Sequence, residues 1–491
     1  MLFTELDKNI EQYESYFSDA GDLVKRRLTI GDKVQLDIYV SYIDMLADRG
    51  LIERQVITRL IDGKPELTNG FEDIADTLMN GMATADLSEK DNLEEIRDAV
   101  LSGDTVLFAD GFDKALVISS KGWPNRGVPT TDTEPTVNSS KEAFSEVFRI
   151  NTMLIRRRIR DSRLKVWQTV CGRRSKTSVA LMYMEDVVRP SILEEAKKRL
   201  AKIDIDALAG AGALEQFIED DHKSVFPQVQ MTERPDKAAS GILEGRIVIV
   251  IDNSPFVLLI PTTLNVLYQA SDDYSERFYT ASLLRIVRYI AGFLAIALPG
   301  IYLSVAIFHP DMLPMLMTFK MAAAREAVPL PAVFEILLME AAFELLHEAG
   351  IRLPRAVGSS IGIIGGLIIG QAAVEAGLVS PIVVIVVAAT EIAGFTIPNY
   401  GLFSGFRLSK YMITILSACL GFLGLWAGLI ILIVHLSGIR SFGIPYLYPF
   451  SSGTVNDYSD FKDSIFRAPV SMMKKRPIFA NPVETGRMKG D

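Results

Sequence analysis

Five side chains that form a stripe along one apolar segment of the C-terminal half are the residues best suited to a chemical role. They are Ser360, Ile364, Leu367, Gln371 and Glu375, in the order polar, apolar, apolar, polar, acidic. At this spacing they lie close to one stripe of a helix. A circle of aliphatic side chains can close a pore by excluding water, and a circle of carboxylates around a pore favours cations. The stripe therefore predicts a gated cation pore; the alternative for Gln371 and Glu375 is an intersubunit hydrogen-bond or salt-bridge role.

Glycines mark a second face of the same segment. Gly358, Gly362, Gly366 and Gly370 recur every four residues. Glycine lowers helix stability in water, but small residues at this spacing let helices in membranes approach closely. The pattern predicts a helix-packing face. It leaves open whether the packing occurs within one subunit or between subunits around an axis.

Other carboxylates also fall inside apolar stretches. Glu391 lies midway along one such stretch, and an acid within a membrane is a functional candidate by default. The plainer interpretation is a buried pair with a donor such as Asn399 or Tyr400. The segment 331–349 carries several carboxylates, three of them spaced four residues apart, which favours a helix that is interfacial or buried in protein.

No arrangement typical of an enzyme is present. The four histidines occur singly, no glycine-rich phosphate loop or Cys/His metal spacing is found, and the two cysteines are far apart. The sequence predicts no catalytic residues, no metal site and no cofactor. The net charge of −9 gives no basic patch for nucleic acid.

Long apolar runs must position these residues. They are confined to the C-terminal half and predict four spans, with one or two interfacial or re-entrant helices between them. Basic residues such as Arg285, Arg407 and Lys410 flank the runs, and counting them does not settle the topology. The four predicted spans lie near residues 286–308, 357–377, 379–398 and 411–436.

The first 245 residues resemble a soluble protein. Apolar spacing predicts helices at 5–17, 34–48 and 70–80. Turn signals between apolar runs predict hairpins at 105–118 and 163–184. The apolar block 246–261 contains Asp252-Asn253-Ser254-Pro255, which would be costly in lipid, so a buried hairpin beside the membrane is predicted there.

The predicted fold class is therefore α+β, with two small α/β subdomains on the cytosolic side followed by an all-α transmembrane domain. The N-terminal domain and the C-terminal tail are predicted to be cytosolic. The predicted parts are a first subdomain at 1–125, a second at 126–245, a juxtamembrane hairpin and connector at 246–283, the transmembrane domain at 284–439 and a tail at 440–491.

Several motifs resemble one known family. They include Ile-Gly-Gln-Ala-Ala-Val-Glu-Ala-Gly at 369–377, Ile-Pro-Asn-Tyr at 397–400 and Arg-Ser-Phe-Gly-Ile-Pro-Tyr at 440–446. With the blocks at 227–237 and 244–261, they resemble the A subunit of the GerA family of spore germination proteins. The resemblance is strong over the C-terminal half and looser before it.

The resemblance implies a function in the inner membrane of a bacterial spore. The A subunit of such a receptor would form a homo-oligomeric ring and conduct monovalent cations. Its implied partners are a transporter-like B subunit that binds the germinant, a lipoprotein C subunit and membrane lipid. Two alternatives stay open: a non-conducting scaffold that couples the sensor to another channel, and an accessory paralogue of the dipicolinate-release channel.

Overall fold

The computed structural model describes residues 2–31, 35–62, 74, 87–122, 130–131, 133–352, 370–451, 458–483 and 485–488. Contacts divide the chain into two compact units. The N-terminal unit comprises residues 1–219, 229–261 and 471–491, and the helical unit comprises residues 220–228 and 262–470.

The first half of the N-terminal unit contains a five-stranded sheet, with one helix before its first strand and another before its fourth. Each strand pairs antiparallel with its neighbours, in the order β1-β2-β4-β5-β3. A helical stretch from Arg49 to Asp62 follows β2. The elements are α1 (Leu6–Tyr16), β1 (Leu23–Ile30), β2 (Leu36–Ile43), β3 (Leu87–Lys90), α2 (Leu93–Leu101), β4 (Thr105–Ala109) and β5 (Ala115–Ile118).

The second half repeats this plan. Its sheet has the equivalent order β6-β7-β9-β10-β8, and helices again precede the first and fourth strands. Two further helices lie between β7 and β8. The elements are α3 (Phe148–Arg158), β6 (Leu164–Cys171), β7 (Thr177–Met184), α4 (Pro190–Ala201), α5 (Ala211–Ile218), β8 (Gln230–Thr232), α6 (Pro235–Leu243), β9 (Ile247–Ile251) and β10 (Val257–Ile260).

A buried asparagine makes the same contacts in both halves. The side chain of Asn9 accepts a hydrogen bond from the Phe3 N–H at 2.7 Å and donates to the Phe3 carbonyl at 2.5 Å. Asn151 does the same with the N–H and carbonyl of Ser145, at 2.8 and 2.6 Å. Since topology and buried polar contacts both recur, the N-terminal unit is a tandem structural repeat.

The two halves share one core. A single cluster of buried apolar residues includes Tyr13 and Phe108 from the first half and Leu154 and Val250 from the second. The repeats are therefore packed together as one unit.

Some sequence predictions for this unit need correction. The three predicted hairpins are present, but the helix predicted at 34–48 is the strand β2. It pairs with both β1 and β4, and its aromatic and β-branched residues suit a buried strand. Of the helix predicted at 70–80, only Ile74 lies within the described residues. The hairpin at 246–261, expected beside the membrane, pairs with β7 inside the second sheet.

The helical unit contains one long apolar helix near its start, after the two short helices Leu264–Leu267 and Asp272–Ser275. Among the described residues, one helix, Phe278–Phe308, is long and apolar enough to cross a membrane. Pro381–Phe395 and Phe422–Gly438 are apolar but shorter. The labelled helices are α7 (Phe278–Leu303), α8 (Met315–Arg325), α9 (Ala332–Arg352), α10 (Pro381–Phe395), α11 (Tyr400–Leu420) and α12 (Phe422–Gly438).

The single span predicted at 411–436 is wrong, because a helical hairpin occupies that run. Helix α11 ends at Leu420, Gly421 follows with a φ of +61°, and α12 begins at Phe422. This backbone conformation favours glycine. A Cβ at Gly424 would collide with the Leu416 carbonyl of α11. The glycines therefore break an uncharged run that hydropathy alone treats as continuous.

Candidate functional site

A buried lysine holds two carboxylates together in the helical unit. The Nζ of Lys410 on α11 lies 2.7 Å from Oε1 of Glu391 on α10. It lies 3.5 Å from Oε1 of Glu340 on α9. The Lys410 and Glu340 side chains are buried, and 14% of the Glu391 side chain is exposed. This triad therefore joins three helices through charge.

Two more carboxylates of α9 have partners in the same unit. Glu335 accepts a hydrogen bond from the Ser380 N–H at 2.7 Å and lies 3.5 Å from the Arg325 guanidinium. Glu344 lies 3.3 Å from Arg407, one helical turn before Lys410. The sequence predicts that this acidic segment is either interfacial or buried in protein. Glu335 and Glu340 are buried in protein.

The charges of this network do not balance. Its carboxylates are Glu335, Glu340, Glu344 and Glu391, and its cations are Arg325, Arg407 and Lys410. When all are ionised, one negative charge is in excess. The oxygens of Glu340 are buried and accept no hydrogen bond from any described residue. A proton or a monovalent cation would neutralise that excess.

Glu391 is the acid that the sequence singled out, but its donor is a different residue. The side chain of Asn399 accepts from the Leu402 N–H at 3.0 Å and caps α11. Tyr400 is 58% exposed. Lys410 is the donor instead, and sequence reasoning used Lys410 only as a topology charge. One sequence pattern could have identified this donor. Arg407 and Lys410 are three residues apart on one helix face, and the acids of the segment 331–349 are four residues apart.

The described end of the predicted pore stripe is exposed. Residues 370–375 are helical, and Gln371 donates a hydrogen bond from Nε2 to Oε1 of Glu375 at 2.8 Å. Both side chains are exposed, and none of the described residues covers them. The stripe residues Ser360, Ile364 and Leu367 lie outside the described residues.

The one described glycine of the packing face turns inward. A Cβ at Gly370 would lie 3.2 Å from Cγ1 of Val384 on α10. At this position the close approach is within one chain, which agrees with the intrasubunit alternative. Gly358, Gly362 and Gly366 lie outside the described residues, so the rest of the glycine face stays a prediction.

Nothing in the described ranges forms a metal centre, since no group of three or more His, Cys, Asp or Glu side chains is placed to hold an ion. The arrangement consists of paired charges inside a helical bundle and one uncovered polar face. Its chemistry is therefore electrostatic.

Comparison with known proteins gives one consistent result. The family model described as "Bacillus/Clostridium GerA spore germination protein" matches residues 11–479. "Spore germination protein KA" of Bacillus subtilis (strain 168) is 39% identical over 482 residues, covering 97% of this chain and 87% of the relative. "Uncharacterized membrane protein YfkQ" of the same organism is 39% identical over 475 residues, covering 96% and 90%.

A solved structure also matches the chain. It is the crystal structure of the N-terminal domain of the A subunit of the Bacillus megaterium spore germinant receptor GerK3. The sequence identity is 30%, the TM-score is 0.42, and the match covers 52% of this chain and 95% of that one.

Proposed function

The chain belongs to the GerA family of spore germination proteins, and from this premise we propose that it is a membrane subunit of a spore germinant receptor. In this proposal it assembles into a ring in the spore inner membrane. It forms or gates a path for monovalent cations when nutrients are sensed. A transporter-like B subunit and a lipoprotein C subunit are its proposed partners.

The main support for this proposal is that the side chains of Gln371 and Glu375 are exposed on one helix face. An exposed carboxylate on a lipid-facing helix costs several kcal/mol or more, depending on depth. Water or another subunit is a much better neighbour for that side chain. A ring of subunits would place Glu375 from each copy around one aqueous path, where a carboxylate ring attracts cations.

Four crossings remain part of the proposal. The buried triad supports this arrangement because Lys410, Glu340 and Glu391 satisfy one another away from lipid. The N-terminal unit and the tail would then lie in the cytosol.

A non-conducting scaffold is the second candidate function. The same polar face could then bind a partner subunit through hydrogen bonds and salt bridges. An accessory role beside the dipicolinate-release channel is the third, and the motifs of the chain fit it equally. Both leave purified protein without conductance of its own.

Reconstitution in planar lipid bilayers tests the proposal. The purified chain should give cation-selective currents, and Glu375→Gln should lower the cation-to-anion permeability ratio because it removes the charge ring. Glu326→Gln is the matched control, since Glu326 is another exposed acid of the helical unit. Membranes that contain assembled protein but carry no current would favour the scaffold.

A further inference from the structure

An open groove lies between the start of α7 and the C-terminal tail of the helical unit. Its volume is about 430 Å³, and its lining includes Phe278, Leu283 and Phe466. The tail is pinned to the helix because the Ser282 hydroxyl donates to the Arg467 carbonyl at 3.2 Å and accepts from the Arg467 N–H at 3.1 Å. We call this feature the tail groove. Both of its walls are ordered parts of one unit.

The walls of the tail groove are apolar and exposed. Leu283 is 61% exposed and Phe466 is 63% exposed, while Tyr279 beside them is 74% exposed. Ile286 and Pro469 extend the same surface. Aromatic side chains at the first turns of a membrane helix are typical of the membrane–water interface. The tail groove therefore has the character of a surface that lipid covers.

Some cations near the tail groove are neutralised by carboxylates of the chain. Arg285 lies 2.9 Å from Asp273 and 2.7 Å from Asp463, and Arg288 lies 2.7 Å from Asp273. Burial opposes ionisation of Asp273, but the hydrogen bonds and charges of Arg288 and Arg285 outweigh it and lower the pKa of its carboxyl. These ion pairs fix the start of α7 and leave no charge for a ligand.

Other cations at the same place have no carboxylate partner among the described residues. Lys462 lines the groove and makes no ion pair with a described residue. Arg277, at the N-cap of α7, is exposed and likewise unpaired. Arg467 is 4% exposed; its Nη1 donates to two carbonyls, and its Nε has no partner. Cations without a carboxylate partner among the described residues therefore border an apolar groove.

We propose that the tail groove binds an anionic phospholipid. One acyl chain lies against Leu283, Ile286 and Phe466, and the phosphate of the headgroup is held by Lys462, with Arg277 nearby. The chemistry of each end matches, because apolar area suits the chain and unpaired cations suit the phosphate. The inference rests on the membrane placement of α7 in the proposed function and is independent of conduction.

The test uses the full-length chain in detergent. Phosphatidylglycerol or phosphatidylcholine is added, and lipid binding is measured by native mass spectrometry together with the thermal unfolding midpoint. Phosphatidylglycerol should bind more tightly and raise the midpoint more. Lys462→Gln should weaken its affinity about five-fold, since each cation at a membrane surface contributes about 1 kcal/mol. Leu283→Trp, which fills the groove, should weaken both lipids.

Lys320→Gln is the matched control, because Lys320 is an exposed lysine of the same unit outside the groove. It should leave lipid binding unchanged. The proposal is overturned if Lys462→Gln and Lys320→Gln behave alike, if both lipids bind equally well, or if glycerol phosphate without acyl chains gives the same stabilisation. A stoichiometric protein that co-purifies on this groove and is lost with Leu283→Trp would also overturn it. If the chain conducts cations but binds phosphatidylglycerol and phosphatidylcholine equally, this inference alone is refuted. If the chain does not insert into membranes, the proposed function is refuted.

Discussion

Two acidic regions of the helical unit differ in what neutralises them. Glu340 is buried and the Glu391 side chain is 14% exposed, and both contact Lys410, so the chain supplies their counter-charge. Glu375 is exposed, and its described contact is a hydrogen bond from Gln371, which carries no charge. A carboxylate satisfied within the chain is explained by folding. No described residue covers the Glu375 carboxylate, and in the proposed function it faces water in a pore or another subunit.

The largest expected effect comes from removing the cation of the buried region. Lys410→Met should destabilise the helical unit by about 3–5 kcal/mol, because it leaves the buried Glu340 and the largely buried Glu391 as charges without a partner. The measurement is the thermal unfolding midpoint in detergent. Lys320→Met, at an exposed lysine, should have little effect. Combining Lys410→Met with Glu340→Gln and Glu391→Gln should recover much of the loss, and no recovery would mean that charge is not the cause.

A smaller effect should separate the two acids of the triad. Glu391→Gln removes the negative charge from the group that accepts the 2.7 Å bond from Lys410 and should cost about 1–3 kcal/mol. Glu340→Gln should cost less than about 1 kcal/mol, because the Glu340 oxygens accept no hydrogen bond from described residues. The same unfolding midpoint compares the two variants. A larger loss for Glu340→Gln would show that Glu340 is the main partner of Lys410.

The sequence predicts much of the N-terminal unit. The hairpins are found because Asp110-Gly111 and Asp252-Asn253 are strong turn signals between apolar runs. The segment 34–48 is mistaken for a helix because its apolar spacing fits both periods, and pairing with β1 and β4 decides between them. Such pairing is not visible in a local pattern.

The candidate site is predicted in part, for a similar reason. Glu391 stands out because a carboxylate inside an apolar run is rare. Its partner Lys410 lies on the next helix, α11, so the pair can be identified only when the packing of the two helices is known. The break at Gly421 is missed because hydropathy averages over a glycine that bends the backbone.

The uncovered region is tested most directly by cysteine accessibility. In a Cys419→Ser background, Gln371→Cys and Glu375→Cys should each change stability by no more than about 0.5 kcal/mol, as is usual at exposed positions. In resting membranes both should react with a small cationic water-soluble thiol reagent, whereas Gly370→Cys, which faces Val384, should react slowly. Reaction at position 375 should also reduce the current in bilayers. Unreactive cysteines at 371 and 375, or reaction that leaves the current unchanged, would contradict the assignment of this face to a pore.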